Sequence, residues 1–270
     1  MDTGLANRVI MVTGASGGIG QEVARAFVRE GARVIAHFHR RADHARALAR
    51  ELGSACLALG ADLTREAEVE RLFAEAEAAL GPTEVLVANA GFWPSSNASI
   101  ERMTLARWES TLAVNLTSVF LCAREFFRGI VKHRLSDPAA VLVGSTAGIF
   151  GEAGHADYAA AKAALAYGLA RSLKNELCRL APQGRINVVC PGWTFTPLTK
   201  RFSDEPARVR RVLQTIPLRK VGRPADVAAA IVYLASSRLS GHLTGQMLTV
   251  AGGMEGRVLY QENEVDPAGA

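Results

Sequence analysis

At 270 residues, 49% of them hydrophobic and 21% charged, the chain has material for a large buried core and the composition of an ordinary globular protein. The formal net charge is +5, but no dense Lys/Arg run with interleaved aromatics occurs, and the most basic stretch, Lys200–Arg223, is interrupted by Asp204 and Glu205, so no nucleic-acid partner is expected. Cys56, Cys122, Cys178 and Cys190 form no C-x-x-C pair, Met1–Arg8 lacks a signal-peptide pattern, and no stretch approaches ~20 apolar residues; a zinc knuckle, a dithiol motif, a secretory leader and a membrane span are therefore not expected, and a reducing cytoplasm is.

In chain order, short β-branched runs alternate with longer helical patterns. Strands are predicted at 8–13, 33–37, 55–59, 84–88, 140–144, 185–190 and 246–250, and their near-continuous apolar character suits strands covered on both faces. Helices are predicted at 18–30, 42–52, 65–80, 104–132, 157–180 and 224–236, where apolar residues recur at three- and four-residue spacing. Strand then helix, repeated, predicts an α/β fold of the Rossmann-type doubly wound kind, a seven-stranded and mainly parallel sheet with helices on both faces. No Ser/Gly linker or shift of composition divides the chain, so residues 1–270 are expected to form a single domain. Two segments depart from the rhythm: 193–223, polar and partly helical, reads as a lid, and 254–270 as a tail that is either frayed or docked on a neighbouring subunit.

The first strand runs directly into Thr13-Gly14-Ala15-Ser16-Gly17-Gly18-Ile19-Gly20, and a helix follows. Glycines let the backbone turn tightly and approach a pyrophosphate, while the helix start supplies free N–H groups and the positive end of a dipole. Strand before and helix after is the context that a dinucleotide site requires. The second strand ends Ala36-His37-Phe38-His39-Arg40-Arg41, with no acid between Gly31 and Arg41. A carboxylate here would accept from ribose hydroxyls and repel a 2′-phosphate, whereas a guanidinium binds that phosphate with two hydrogen bonds. Arg40 first, and Arg41 second, thus favour NADP(H) over NAD(H), with NAD(H) still open. Further on, Tyr158 and Lys162 sit one helical turn apart on a predicted helix. An isolated Tyr titrates near ~10, and a nearby ammonium favours its phenolate.

The spacing Gly14, Gly18, Gly20, taken with Tyr158-x-x-x-Lys162, resembles the short-chain dehydrogenase/reductase family, and is similar to its 3-oxoacyl-[acyl-carrier-protein] reductase members. The resemblance runs from about residue 5 to 253. It implies an enzyme that interconverts a carbonyl and a secondary alcohol by hydride transfer, with Tyr158 as general acid and base. Ser145, 13 residues before Tyr158, would hold the substrate oxygen; Lys162 would bind the nicotinamide ribose and keep Tyr158 acidic; Asn115 would kink its helix and hold a water in the proton relay. For the cofactor, the resemblance places Asp62 and Leu63 at the adenine, Asn89-Ala90-Gly91 under the central sheet, and Pro191-Gly192 with Thr194 and Thr196 at the nicotinamide amide. Ala251 stands where relatives often carry Asp, so any hydrogen bond of that Asp is absent. A metal is not expected.

Trp93, Ile149, Phe150, His155, Trp193 and Phe195 are candidates for the substrate wall, of which His155 and Trp193, with Ser145 and Tyr158, are named as substrate-binding. His155 reads equally well as a loop residue facing water. Arg124, Arg128 and Lys132 recur on one helix face and are a candidate surface for an acidic carrier protein. Three functional readings stay open: a 3-oxoacyl thioester reductase, a dehydrogenase of a small alcohol, sugar or steroid-like substrate, and a non-catalytic NAD(P) sensor. The resemblance also implies a homo-oligomer, tetramer or dimer, with the helices at 104–132 and 157–180 against symmetry mates. Phe120, Phe126 and Phe127 fit either that interface or the core.

Overall fold

A computed structural model of the chain describes residues 2–196 and 206–266. Its strands are β1 Val9–Val12, β2 Arg33–Phe38, β3 Cys56–Gly60, β4 Val85–Ala88, β5 Ala139–Val143, β6 Arg185–Pro191 and β7 Met247–Val250. They form one parallel sheet in the order β3-β2-β1-β4-β5-β6-β7. The helices are α1 Gly18–Arg29, α2 Ala42–Leu52, α3 Glu66–Leu80, α4 Leu105–Leu112, α5 Ser118–His133, α6 Ala147–Phe150, α7 Ala156–Ala163, α8 Ala170–Leu180, α9 Pro206–Leu213, α10 Pro224–Ala235 and α11 Ser237–Ser240.

Alternation of side chains along each strand divides the apolar material between the two faces. Ile10, Val12, Val34, Ala36, Val85 and Val87 pack with Val23 and Phe27 of α1 and with Val227 and Ile231 of α10. Val9, Met11, Ile35 and Leu86 take the other face, against Val69 and Leu72 of α3, Phe126 and Ile130 of α5, and Leu177 of α8. Strand order reverses between β1 and β4, and in such sheets the crevice beyond the carboxyl ends of the strands at that point receives ligands.

Two long helices differ from the sequence expectation. The one predicted across 104–132 is interrupted by a π turn at Ala113–Thr117, and the one across 157–180 by another at Ala164–Leu169. The first has a local cause. Asn115 Nδ2 donates to the Thr111 carbonyl at 3.1 Å and Ser118 Oγ to that of Val114 at 2.6 Å, so side chains take carbonyls that the regular ladder would use.

The described part of the tail, residues 254–266, docks on its own chain. Backbone N–H groups of Leu259 and Tyr260 donate to the Gln214 carbonyl at 2.7 and 3.2 Å, and the Tyr260 hydroxyl donates to the Pro217 carbonyl at 2.9 Å. Val265 is buried against Val209, Leu213 and Val221. The tail thus lies on the described part of the predicted lid, namely α9 and the loop after it; lid residues 197–205 lie outside the described residues. Among the described residues no helix is long and apolar enough to cross a membrane.

Candidate active site

Every strand end at the crevice carries a residue singled out in the sequence. After β1, Gly14 adopts φ +67°, and a Cβ there would stand 2.9 Å from Ala90 Cα. A Cβ on Gly20 would meet the Gly14 carbonyl oxygen and Ala15, so only glycine lets α1 close on the loop. Asn89 Nδ2 donates to the Thr13 carbonyl at 2.9 Å, and the Thr13 hydroxyl accepts from the Asn89 and Ala90 N–H groups at 3.0 and 2.9 Å. Asn89 and Ala90 therefore brace the glycine-rich turn, while Gly91 faces the chemical residues. Gly17 caps α1 without a side-chain hydrogen bond, and the first turn, from Gly18 and Ile19, carries no acid. The donors of that turn are left to an anion, which is what a pyrophosphate requires.

His37 was passed over in the sequence, where it is a lone imidazole in an apolar strand. Its Nδ1 accepts from the Gly14 N–H at 3.1 Å and its Nε2 faces the Ala61 carbonyl at 3.0 Å, which fixes a neutral ring protonated at Nε2. Burial lowers its pKa to about 4. Beyond β2, Arg40 and Arg41 are exposed, and neither is ion-paired among the described residues. Beyond β3, burial would raise the Asp62 carboxyl, but hydrogen bonds from the Thr64 hydroxyl and N–H, at 2.7 and 3.0 Å, outweigh it and hold the group below the ordinary carboxylate range. Leu63 beside it is buried. Beyond β6, Pro191 is buried, Gly192 is pressed against Ala251, and the Thr194 hydroxyl donates to the Gly192 carbonyl at 3.1 Å; Thr196 is the last residue described before 197.

Asn115, Ser145, Tyr158 and Lys162 converge beyond β4 and β5. Asn115 is wholly buried and exchanges hydrogen bonds with the Phe92 backbone, Nδ2 to the carbonyl at 3.1 Å and Oδ1 from the N–H at 3.2 Å. A Cβ on Gly91 would lie 2.7 Å from Asn115 Oδ1 and 3.4 Å from Lys162 Nζ, so the loop after β4 reaches the amide and the ammonium together. Ser145 Oγ accepts from the Ala147 N–H at 3.2 Å, at the start of α6, and its hydroxyl works against the upward shift of the Tyr158 phenol.

Burial, and not the Lys162 ammonium, sets the direction of the Tyr158 shift. Burial pushes the Tyr158 phenol up to about 12, the Ser145 hydroxyl opposing it. Lys162 donates to the Val143 carbonyl at 2.9 Å, its Nζ is 5.7 Å from the centre of the Tyr158 ring, and burial lowers it to about 8. Cys190, also buried here, has its thiol raised to about 11 by the same cause and is unreactive. As it stands, the pocket keeps Tyr158 protonated at neutral pH, the state of a proton donor.

On the substrate side, Trp93 stacks on His155 with ring centres 3.9 Å apart and meets Tyr158 edge-on at 4.8 Å. His155 does not face water: it is 3% exposed and its Nε2 meets the Pro94 carbonyl at 3.1 Å. Trp193 is not part of this stack; it packs with Phe195 and Tyr260 on the lid cluster, under the Arg208 guanidinium. The basic stripe on α5 is neutralised by α3. Arg124 pairs with Glu66, Arg128 with Glu70, and Lys132 with Glu77, at 2.8, 3.1 and 2.6 Å. Of the three phenylalanines, Phe126 is core, Phe127 is partly buried, and Phe120 is exposed. Arg107 and Asp157, a salt bridge at 2.9 Å beside Tyr158, had no sequence signal beyond the acid's place before the tyrosine.

The chain matches, over residues 14–255, a family model described as enoyl-(acyl carrier protein) reductase. It is similar to nodulation protein G of Rhizobium sp. (strain N33), 34% identical over 93% of this chain and 98% of that one. It is 33% identical to a 3-oxoacyl-[acyl-carrier-protein] reductase of Synechocystis sp. over 93% and 98% of the two chains. The 3-oxoacyl-[acyl-carrier-protein] reductase MabA of Mycobacterium tuberculosis is 34% identical over 92% of this chain and 93% of its own.

Proposed function

The chain belongs to the short-chain dehydrogenase/reductase family and is an NAD(P)-dependent oxidoreductase, and on that premise we propose that it reduces a carbonyl to a secondary alcohol on a 3-oxoacyl thioester, with Tyr158 as the proton donor. The observation that carries the reading is the convergence of Ser145 and Tyr158 with buried Asn115 and Lys162 at the ends of β4 and β5. The thioester part of the reading is supported by the relatives named above, two of which are 3-oxoacyl-[acyl-carrier-protein] reductases.

Gly14, Ser16–Gly20, Asp62, Leu63, Asn89–Gly91, Pro191, Gly192, Thr194 and Thr196 would hold a nicotinamide cofactor, which would supply hydride to the carbonyl carbon. Ser145 and Tyr158 hydrogen-bond the carbonyl oxygen and orient it. Tyr158, kept neutral by its surroundings, gives that oxygen its proton. Lys162 is cationic below about pH 8 and offers positive charge to the phenolate that remains. Asn115, anchored on Phe92, lines the route by which solvent refills the proton. Arg40 and Arg41, exposed and free of acidic partners among the described residues, favour NADP(H). Exposed Leu105, Phe120, Val131, Tyr167 and Leu180 on α4, the second π turn and helices α5 and α8 support a homo-oligomer, tetramer or dimer.

The test is NADPH consumption by purified protein with a panel of 3-oxoacyl thioesters and simple ketones. Turnover on the thioesters is expected, and Tyr158→Phe should lose at least roughly 1,000-fold in kcat while binding NADPH as the wild type does. Turnover retained by Tyr158→Phe would remove the proton donor from the mechanism; turnover on ketones alone would remove the thioester.

A further inference from the structure

Arg107 lies in α4 and spreads its guanidinium over three separate segments. Nη1 donates to the Ser96 carbonyl at 2.8 Å, in the loop after β4. Nη2 donates to the Gly154 carbonyl at 3.1 Å, in the loop before α7. Nε and Nη2 donate to the Asp157 carboxylate at 2.9 and 3.4 Å. Asp157 is wholly buried in the first turn of α7, directly before Tyr158. Its Oδ2 also accepts from the Thr111 hydroxyl at 2.8 Å, and the Thr111 carbonyl accepts from Asn115 Nδ2. The two loops are joined besides by an Ala98 N–H to Gly154 carbonyl bond at 2.9 Å.

One ion pair therefore touches the loop that bears Trp93, the loop that bears His155 and the helix that bears Tyr158 and Lys162, and reaches the turn that bears Asn115 through Thr111. Burial alone would raise the Asp157 carboxyl, but the bonds from Arg107 and Thr111 outweigh it and keep it ionised. A wholly buried carboxylate is costly to hold unless it is paired and fully hydrogen-bonded, and apolar side chains would fill the same space without that cost. What apolar packing lacks is direction. A planar fork binding a carboxylate and two carbonyls sets the angles of everything it touches.

We propose that Arg107 and Asp157 are positioning residues for the reaction, fixing the start of α7 so that Tyr158 meets the substrate oxygen, and holding the Trp93–His155 wall against it. The inference rests on the reductase reading above.

The experiment compares Arg107→Gln, Arg107→Lys and Asp157→Asn with the wild type, measuring kcat, KM, NADPH affinity and thermal midpoint. Arg8→Gln is the stability control, because its ion pairs with Glu84 and Asp137 lie at the opposite ends of the strands. Arg107→Gln is expected to lower kcat roughly 10- to 100-fold and to raise KM, with NADPH affinity within about twofold of wild type. Arg107→Lys should recover part of kcat, lacking the fork, while Arg8→Gln lowers the midpoint and leaves kcat alone. A kcat for Arg107→Gln within about twofold of wild type, or a loss equal to its loss of folded protein, overturns the proposal. Should the wild type turn over no member of the panel, the reductase reading itself fails. The positioning proposal is then decided by NMR of protein carrying ¹³Cζ-tyrosine, with the Tyr158 signal identified by its absence in Tyr158→Phe. A shifted or broadened Tyr158 signal in Arg107→Gln supports it, and an unchanged one overturns it.

Discussion

Arg40 and His37 stand three residues apart at the end of β2 and act on opposite sides of the cofactor question, one by an exposed charge and the other by a buried neutral ring. Arg40 is expected to contact the 2′-phosphate that distinguishes NADPH from NADH. A charge-assisted hydrogen bond contributes about 1.5–3 kcal/mol, so Arg40→Ser should weaken NADPH roughly 10- to 100-fold in fluorescence titration and leave NADH almost unchanged. Equal losses for both cofactors would move the phosphate site elsewhere. His37 makes a different prediction, about stability. Its pKa falls from 6.5 to about 4 on folding, so between those values the unfolded chain binds the proton and the folded chain does not. Its contribution is present above pH 6.5 and is lost as pH falls through about 4. The amount is up to roughly 3 kcal/mol. His37→Gln, whose amide can both accept from Gly14 and donate to Ala61, should flatten the denaturation midpoint between pH 6.5 and 5, a window above most carboxylate titration; identical slopes in the two proteins would contradict it.

At the scale of elements, the seven strands were legible because each is a short, nearly unbroken apolar run, such as Val9–Val12 or Ala139–Val143, between amphipathic helices. Periodicity sees such runs without knowing what they face. Asn115, Ser145, Tyr158 and Lys162 were singled out through spacing, by way of the family likeness, and the fold brings them together. The first π turn was legible only as a kink at Asn115, by way of that likeness; its form was not, because it depends on where the Asn115 amide goes, and its partner Phe92 is 23 residues away. For the same reason Arg107 gave no sign, since Asp157 is 50 positions off and only the packing of α4 on α7 brings them together. The sense of the Tyr158 shift also escaped, because burial is a property of the assembled pocket. The close approach of the loop after β4 yields a prediction that belongs to this scale. Gly91→Ala would drive its Cβ into Asn115 Oδ1, at 2.7 Å, and displace the amide, the ammonium or the loop itself. A drop in kcat of about tenfold or more, with the thermal midpoint shifted by a few degrees at most, is expected from activity and melting assays; wild-type kcat would show that the loop yields freely.

For the molecule as a whole, the tail is the feature that sets this chain apart from the part of it covered by the family model, which ends at residue 255. Residues 256–266 run over α9 and the loop behind it, with the Tyr260 ring under the Arg219 guanidinium and Glu262 paired to Arg210 at 3.2 Å. Cutting the chain after Gly256 should leave the sheet and its midpoint nearly unchanged, since the main cores contain no tail residue. The segment 206–223 should then be cleaved several-fold faster in limited proteolysis, because Val209, Leu213 and Val221 lose Val265 and become easier to open. Cleavage at the wild-type rate would mean that α9 holds its place alone.

That arrangement also has an order in time. A chain leaves the ribosome from its N-terminus, and domains form as their parts emerge. Six of the seven strands, the glycine-rich turn and Asn115, Ser145, Tyr158 and Lys162 precede residue 192, whereas the residues that pack over α9 come only at 259–265. A nascent chain can therefore assemble the cradle and bring Tyr158 to its place before anything packs on α9. Between those two moments α9 stands uncovered: the sheet and its crevice are complete while Val209, Leu213 and Val221 still wait for Val265.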